Sequence, residues 1–199
     1  MKVLSITASK AMLISIGISI AFLSAGCNPP MDQKTNLIPE KNSNNWKQQF
    51  DEKLPLLGHR NWILIVDKAF PEQNAPGMEY IYANEDLLPV LKLVLGQVNQ
   101  STHVKPIIYR DKELDFIKEE QAKGVTQFVR DAKTMFGTQS VQTILHDEVF
   151  KKLDAESKLF KVLVIKTNET IPYTSVFLQL DCGYWNGDKE LQLRTNMKK

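Results

Sequence analysis

Two side chains that can exchange protons bracket a short apolar segment of the chain. In LLGHRNWILIVDKAFP, residues 56–71, His59 precedes the run WILIV and Asp67 follows it. An imidazole changes charge near neutral pH and can act as a general acid or base, and a carboxylate can accept hydrogen bonds from two hydroxyl groups. The pair therefore has the residue types that acid–base chemistry on a polar ligand needs.

Further polar side chains stand at the ends of other strand-like segments. His146 ends SVQTILH, Tyr173 begins YTSVFLQL and Asp181 ends that same segment. Ligands of open α/β sheets usually bind at strand ends, where loops present polar groups over a rigid base. We therefore expect a ligand site to draw on these residues together with His59 and Asp67.

The spacing of His59 and Asp67 limits how they can share one site. A fully extended segment from 59 to 67 would separate them by roughly 26 Å, at about 3.3 Å per residue. One small ligand cannot touch both residues across that distance. Either the chain folds back around residues 58–61, or the two residues face different copies of the site, so a site assembled between subunits stays open.

Strand-like and helix-like segments alternate through most of the chain. NWILIVDKAF and LFKVLVIKT are continuous apolar runs, as expected for strands covered on both faces, whereas NEDLLPVLKLVLGQVNQ has leucines at helical spacing. This alternation predicts one compact α/β domain, with a mixed, mainly parallel sheet flanked by helices. The nearby segments 159–167 and 175–182 are candidates for an antiparallel hairpin, which would make the sheet mixed.

Residues 1–26 have the pattern of a secretory signal rather than of a fold. Lysines precede an apolar run that is too short for a comfortable membrane span, and Ser-Ala-Gly then leads to Cys27. This arrangement resembles a bacterial lipobox, whose cysteine is lipidated. The sequence thus predicts a signal peptide over 1–26, a polar tether over 27–45 and a domain over 46–199, in an extracytoplasmic protein anchored in a membrane. An ordinary signal peptide with an incidental cysteine is the alternative.

The charge and composition exclude several classes of function. Without Lys2 and Lys10 the basic residues would equal the 23 acidic residues in number, and no long block of like charge favours nucleic acid. The 3 histidines are widely spaced, and no glycine-rich phosphate loop is present. We expect neither a metal nor a nucleotide cofactor.

Three segments together resemble the D-ribose pyranase and L-fucose mutarotase (RbsD/FucU) family. LLGHRNWILIVDKAFP resembles the family's Leu-Gly-His segment, strand and Asp, with the same interval from His59 to Asp67. LHDEVFKKLDAESK resembles its His-Glu-x-Phe segment, and IPYTSVFLQ its Pro-Tyr-Ala-Asn segment. The three occur in the family's order and cover most of 50–182.

The resemblance implies a function and a set of roles. Members interconvert cyclic forms of free monosaccharides without a metal or nucleotide, and they assemble into rings with sites near subunit boundaries. His59 falls on the catalytic acid–base position, and Asp67, His146 and Tyr173 fall on sugar-binding positions. Ser175 falls on a further sugar-binding position, where the family commonly has asparagine.

Each of these residues also has a purely structural interpretation. His59 can cap a turn, Asp67 can end its strand, His146 can begin the following helix, and Tyr173 can pack its ring in the core. At the level of the whole protein the alternatives are a lipoprotein that binds a sugar or other small ligand without turnover, and one whose fold serves assembly alone. The change at Ser175 favours the binding protein, and the presence of both His59 and Asp67 favours the isomerase.

Overall fold

The computed structural model of the chain describes residues 45–198. Five α-helices and six strands are present in this part of the chain. In chain order they are α1 (Trp46–Lys53), β1 (Trp62–Val66), β2 (Met78–Tyr82), α2 (Leu87–Gln100), β3 (Val104–Asp111), α3 (Val125–Phe136), β4 (Val141–Ile144), α4 (His146–Glu156), β5 (Val162–Lys166), β6 (Val176–Cys182) and α5 (Gly187–Asn196). Two short 3₁₀ helices, Leu54–Leu56 and Lys112–Phe116, follow α1 and β3.

The strands form one mixed sheet in the order β2-β5-β1-β6-β3-β4. β1 pairs in parallel with β5, β5 with β2, and β3 with β4, while β6 runs antiparallel to both β1 and β3. Five strands therefore point one way and β6 points the other. The predicted α/β fold with a mixed, mainly parallel sheet is confirmed.

The predicted hairpin between segments 159–167 and 175–182 is wrong. β5 and β6 both pair with β1, one on each side of it, so the two strands are not neighbours. The loop between them passes across the end of β1 before β6 begins. The short connection between the two segments suggested that they pair directly. The order of strands depends instead on which faces and edges become buried, and the sequence does not give this order.

Both faces of the sheet are covered by helices. On one face Ile63 and Ile65 pack in a cluster that includes residues of α1, α2 and α3. On the other face Leu64 and Val66 pack in a second cluster with Leu153 of α4. Successive residues of a strand point to opposite faces, so a continuous apolar run is what β1 needs between two apolar layers.

The long segment after β3 is divided at Gly124. A 3₁₀ turn comes first, and α3 begins only after Gly124, whose φ of 91° lies in the left-handed region that glycine adopts without strain. Pro89 lies in the first turn of α2, where its missing N–H costs little. No helix among residues 45–198 is both long and apolar enough to cross a membrane. The predicted signal peptide, Cys27 and nearly all of the tether lie outside the described residues.

A substitution at Gly77 would test how closely the turn before β2 packs against the segment that follows α4. Its N–H donates to the carbonyl of Ser157, and a Cβ at this position would overlap the carbonyl oxygens of Ser157 and Phe160. We expect Gly77→Ala to lower the free energy of unfolding by at least about 1–3 kcal/mol, because backbone atoms must move. Denaturant titration measures this change.

Gly96 is the matched control, since it lies in α2 with open space around its Cβ position. Gly96→Ala should raise the unfolding free energy by about 0.5–1 kcal/mol, as expected for replacing a glycine within a helix. Equal effects of the two substitutions would contradict the close approach at Gly77.

Candidate functional site

Strand direction brings most of the sequence-predicted site residues to one edge of the sheet. Asp67 follows the carboxyl end of β1, and His146 comes two residues after the end of β4. Because β6 is antiparallel, its amino end lies at this same edge, with Tyr173 and Ser175 just before it. This is the edge at which ligands bind in open α/β sheets.

The Asp67 carboxylate is held in place by short hydrogen bonds. The Ser175 hydroxyl donates to Asp67 Oδ2 at 3.0 Å and accepts from the Asp67 backbone N–H at 3.2 Å. The Ala69 N–H donates to the other carboxylate oxygen at 2.9 Å. A carboxylate has further lone pairs on both oxygens, so Asp67 can still accept hydrogen bonds from a ligand.

Ser175 supports Asp67 instead of lining the cleft. It is 1% exposed, and its single hydroxyl proton is used in the bond to Asp67. Its hydroxyl bonds to the carboxylate of Asp67, which lines the cleft. Whether it also contacts a sugar stays a prediction.

Tyr173 adopts an uncommon backbone conformation. Its φ is 60°, which is unfavourable for a bulky residue and marks a position where surrounding contacts impose the geometry. Those contacts come from the loop before β6: the Thr174 hydroxyl donates to the Ile171 carbonyl, and the Glu169 carboxylate accepts from the Ile171 N–H. Strain of this kind is concentrated at functional sites, so it favours a ligand-binding role for Tyr173.

The ring of His146 lies between two aromatic side chains. Its centroid is 5.2 Å from that of Tyr173, at an interplanar angle of 87°, and 4.8 Å from that of Phe150. His146 is the first residue of α4, not the last of β4. The helix start sets its backbone, and the edge-on ring contacts restrict the orientation of its side chain.

Two acidic residues beside His146 were not identified from the sequence. Asp111, the last residue of β3, is fully buried, and its Oδ2 lies 3.1 Å from Nδ1 of His146. Both carboxylate oxygens of Glu113 accept from the His146 backbone N–H, each at 3.1 Å. Asp111 follows the segment HVKPIIYR, so its place at a strand end was the signal that could have indicated it.

An open cleft of about 480 Å³ lies over this edge. Polar groups of Asp67, Lys68, His146, Thr170 and Tyr173 line it. The remaining walls are apolar and come from Ala69, Phe70, Pro71, Phe150 and Pro172. Apolar walls with a few convergent polar groups are typical of small-molecule sites.

His59 lies at the opposite edge of the sheet from this cleft. Its Nδ1 is 3.1 Å from Asp181 Oδ1, and Lys105 approaches the other oxygen of that carboxylate at 3.3 Å. The β1 segment between His59 and Asp67 pairs regularly along its length, so the chain does not fold back to bring them together. Within one chain the structure thus groups Asp67, His146 and Tyr173 and leaves His59 apart.

Among residues 45–198 no group of three or more histidine, cysteine, aspartate or glutamate side chains is arranged to hold a metal ion. Asp67 and His146 line the cleft, and the buried Asp111 lies behind His146. Burial raises the pKa of Asp111 from its ordinary 3.8 to about 6; the nearby charges of Glu113 and Asp67 add to this, and His146 opposes it. A carboxyl group with a raised pKa therefore lies behind the cleft, bonded to His146.

The fold and the cleft define a small α/β protein with a cleft lined by Asp67, His146 and Tyr173 at the carboxyl edge of its parallel strands. Residues 44–182 match the model of the RbsD / FucU transport protein family, and the chain belongs to that family. No curated protein matches the sequence.

Solved structures similar to the chain include three from bacteria. RbsD of Bacillus subtilis, complexed with D-ribose, is 22% identical, with 70% of this chain and 92% of that chain covered at a TM-score of 0.45. FucU of Bifidobacterium longum is 14% identical, covering 66% and 92% at a TM-score of 0.44. The fucose mutarotase of Streptococcus pneumoniae, in complex with L-fucose, is 14% identical, covering 66% and 89% at 0.46.

The raised pKa of Asp111 predicts a pH dependence of stability. Between about pH 4 and 6 the folded state holds a proton on Asp111 that the unfolded state releases, so this group's stabilising contribution is complete below pH 4 and is lost as the pH rises through 6. Relative to Asp111→Asn, the wild-type protein should lose unfolding free energy over that interval. Denaturant titrations at several pH values measure the difference, and parallel curves for the two proteins would contradict it.

Proposed function

We propose that the protein interconverts cyclic forms of a free monosaccharide by acid–base ring opening and closure in the cleft of Asp67, His146 and Tyr173. The observation that carries the proposal is that these three side chains, from separate segments of a chain in the RbsD / FucU family, converge on one cleft. The two bound sugars in the similar structures, D-ribose and L-fucose, support a monosaccharide as the ligand.

The proposed reaction requires two proton transfers. A base takes the proton of the anomeric hydroxyl, the C1–O bond of the ring breaks as the carbonyl forms, and an acid gives a proton to the ring oxygen. Closure reverses these steps on either face of the carbonyl or from another hydroxyl. His146 is placed to serve as the base in the cleft, and histidine is suited to either role near neutral pH.

Asp67 and Tyr173 would hold the sugar. The Asp67 carboxylate is already fixed by Ser175 and Ala69, so it can accept hydrogen bonds from sugar hydroxyls without further ordering. The Tyr173 ring is fixed against His146, and its hydroxyl can both donate and accept. The apolar wall of Phe70 and Phe150, stacked at 5.5 Å, can cover a face of the sugar ring.

His59 would complete the site from a second copy of the chain. Its distance from Asp67 along β1 prevents a contribution within one chain, and its imidazole is well exposed, at 61% of the side chain. In a ring of subunits, His59 of one copy can serve as the acid that protonates the ring oxygen in the cleft of another. This keeps the catalytic role predicted for His59 and requires a homo-oligomer.

A binding protein without turnover is the second candidate. Ser175 is buried and bonded to Asp67, so the site has no asparagine side chain at the position where the family commonly has one. Without an asparagine side chain at this position, a sugar could still bind through Asp67 and Tyr173. Its anomeric carbon and ring oxygen would then be held less accurately for proton transfer. The exchange measurement below separates the two candidates.

We also propose that the protein is exported and anchored by a lipid on Cys27. The support is the sequence of residues 1–27 alone: basic start, short apolar run, small residues and cysteine. An extracytoplasmic pyranase or mutarotase would act on sugars during uptake or polysaccharide breakdown.

The first prediction for the proposed function concerns Asp67. With purified residues 28–199, saturation-transfer NMR on a panel of free aldoses should show exchange of anomers or ring forms that is faster than in buffer. Asp67→Asn should slow this exchange at subsaturating sugar because it removes a carboxylate that holds the sugar, and His146→Gln, which removes the proposed base, should slow it by about 10²–10⁴-fold. Asp154→Asn, an exposed position on α4, is the matched control and should change nothing.

Line broadening of the sugar without faster exchange would instead identify a binding protein. No effect on any sugar would contradict both candidates.

The second prediction concerns sharing of the site between copies. At subsaturating sugar, His59→Ala and Asp67→Asn should each slow exchange alone, because each removes one half of the proposed site. When the two variants are co-expressed and mix at random, about a quarter of the sites combine an intact His59 with an intact Asp67, so exchange should return in part. No recovery in mixed oligomers, verified by differential tags, would contradict a shared site.

The third prediction concerns the anchor. Metabolic labelling with an alkyne fatty acid should mark the full-length protein, and Cys27→Ser should abolish the label and release the protein from the membrane fraction. Cys182→Ser is the control that retains the label. Equal labelling of wild type and Cys27→Ser would exclude lipidation at Cys27.

A further inference from the structure

The carboxyl group of Asp111 is the most unusual polar group near the cleft. It is fully buried, and its Oδ1 has no hydrogen-bond partner among the described residues. A buried carboxyl group is costly unless it is paired. The neighbouring Arg110 does not pair with it, because the Arg110 guanidinium binds the Asp115 carboxylate at 2.7 and 2.9 Å.

Within residues 45–198, the only side chain that bonds to this carboxyl group is His146. Asp111 Oδ2 lies 3.1 Å from His146 Nδ1. Glu113 binds the His146 backbone N–H, and the rings of Phe150 and Tyr173 lie against the imidazole. Since Nδ1 is engaged by Asp111, Nε2 is the ring nitrogen left for a ligand.

We propose that Asp111 is a positioning residue for the reaction. Its carboxylate accepts the Nδ1–H of His146 and so fixes the tautomer in which Nε2 is unprotonated and able to take the proton of the anomeric hydroxyl. Asp111 acts through His146 and does not itself contact the sugar. The effect on catalysis rests on the proposed function, whereas the tautomer of His146 does not.

The arrangement also stabilises the product of the proton transfer. When Nε2 takes the anomeric proton, the imidazole becomes a cation, and an ionised Asp111 lies directly against it at low local dielectric. No proton needs to pass to Asp111 for this effect. The same carboxylate holds the ring orientation before and after the transfer.

Protonation of the Asp111 carboxylate would remove the acceptor of the His146 Nδ1–H bond. Burial raises the pKa of Asp111 to about 6, with Glu113 and Asp67 adding to the shift and His146 opposing it. Below that pH a neutral carboxyl group can donate to Nδ1 and favour the other tautomer. The rate of exchange should therefore fall as the pH drops through about 6.

The wild-type protein provides the most direct test. With only 3 histidines in the chain, the ring ¹⁵N signals of the full-length, histidine-labelled protein in detergent can be assigned by single substitutions. At neutral pH, His146 should carry its proton on Nδ1. A proton on Nε2 instead would overturn the proposal, whether or not the protein acts on sugars.

Variants extend the test to the role of Asp111. Asp111→Asn and Asp111→Leu should shift His146 away from the Nδ1–H tautomer, and Asp111→Glu should retain it at least in part. Asp181→Asn, at the second Asp–His pair, should alter the signals of His59 and leave those of His146 unchanged. Retention of the Nδ1–H tautomer in folded Asp111→Asn and Asp111→Leu would overturn the proposal.

Sugar exchange then separates positioning from binding. Asp111→Asn should slow exchange by about 10²–10⁴-fold at saturating sugar with little change in the sugar concentration for half-saturation. A structural role alone would instead weaken binding and leave the rate at saturating sugar nearly unchanged, and that result would contradict positioning. Absence of exchange in the wild type would count against the proposed function and leave the tautomer result to decide on Asp111.

Discussion

The antiparallel strand β6, held between β1 and β3, is the constraint on which the candidate site depends. Because β6 runs against its neighbours, its amino end meets the carboxyl ends of β1 and β3. That meeting places Ser175 against Asp67 in a reciprocal pair of hydrogen bonds. A parallel β6 would bring Cys182 to this edge and would carry Ser175 to the other.

Burial is the second constraint, and it acts on the same edge. β1 is buried on both faces, so polar side chains that could bind a ligand can stand only where the strand ends. Asp111 lies in the interior beside this edge, where its carboxyl group is fully buried and, among the described residues, has one hydrogen-bond partner, His146. The free energy lost by burial is offset only if that pair is kept, which ties the position of His146 to the integrity of the core.

The sequence predicts the elements well and their arrangement only in part. Apolar runs and helical spacing identify the strands β1 and β5 and the helix α2, because their patterns follow directly from which faces are buried. The order of the strands does not follow from such patterns, and β5 and β6, close in sequence, are separated by β1. The wrong hairpin is the consequence.

Site residues, too, were predictable where the signal was local in the sequence, and they were missed where it depended on contacts between distant segments. Asp67, His146 and Tyr173 are recognisable because they stand at strand ends and resemble family segments, and the structure brings them together. Asp111 was missed because its importance comes from complete burial and from a partner 35 residues away. The separation of His59 from Asp67 was foreseeable from the length of an extended strand.

The proposed function requires a free monosaccharide to bind at the carboxyl edge of the parallel strands, in contact with Asp67, His146 and Tyr173. A crystal structure of the protein grown with a saturating free aldose would show whether it does. We expect one sugar ring in each cleft, hydrogen-bonded to Asp67 and within reach of His146 Nε2, with His59 of another copy beside it. An empty cleft with the sugar bound elsewhere, for example beside Trp185, would contradict it.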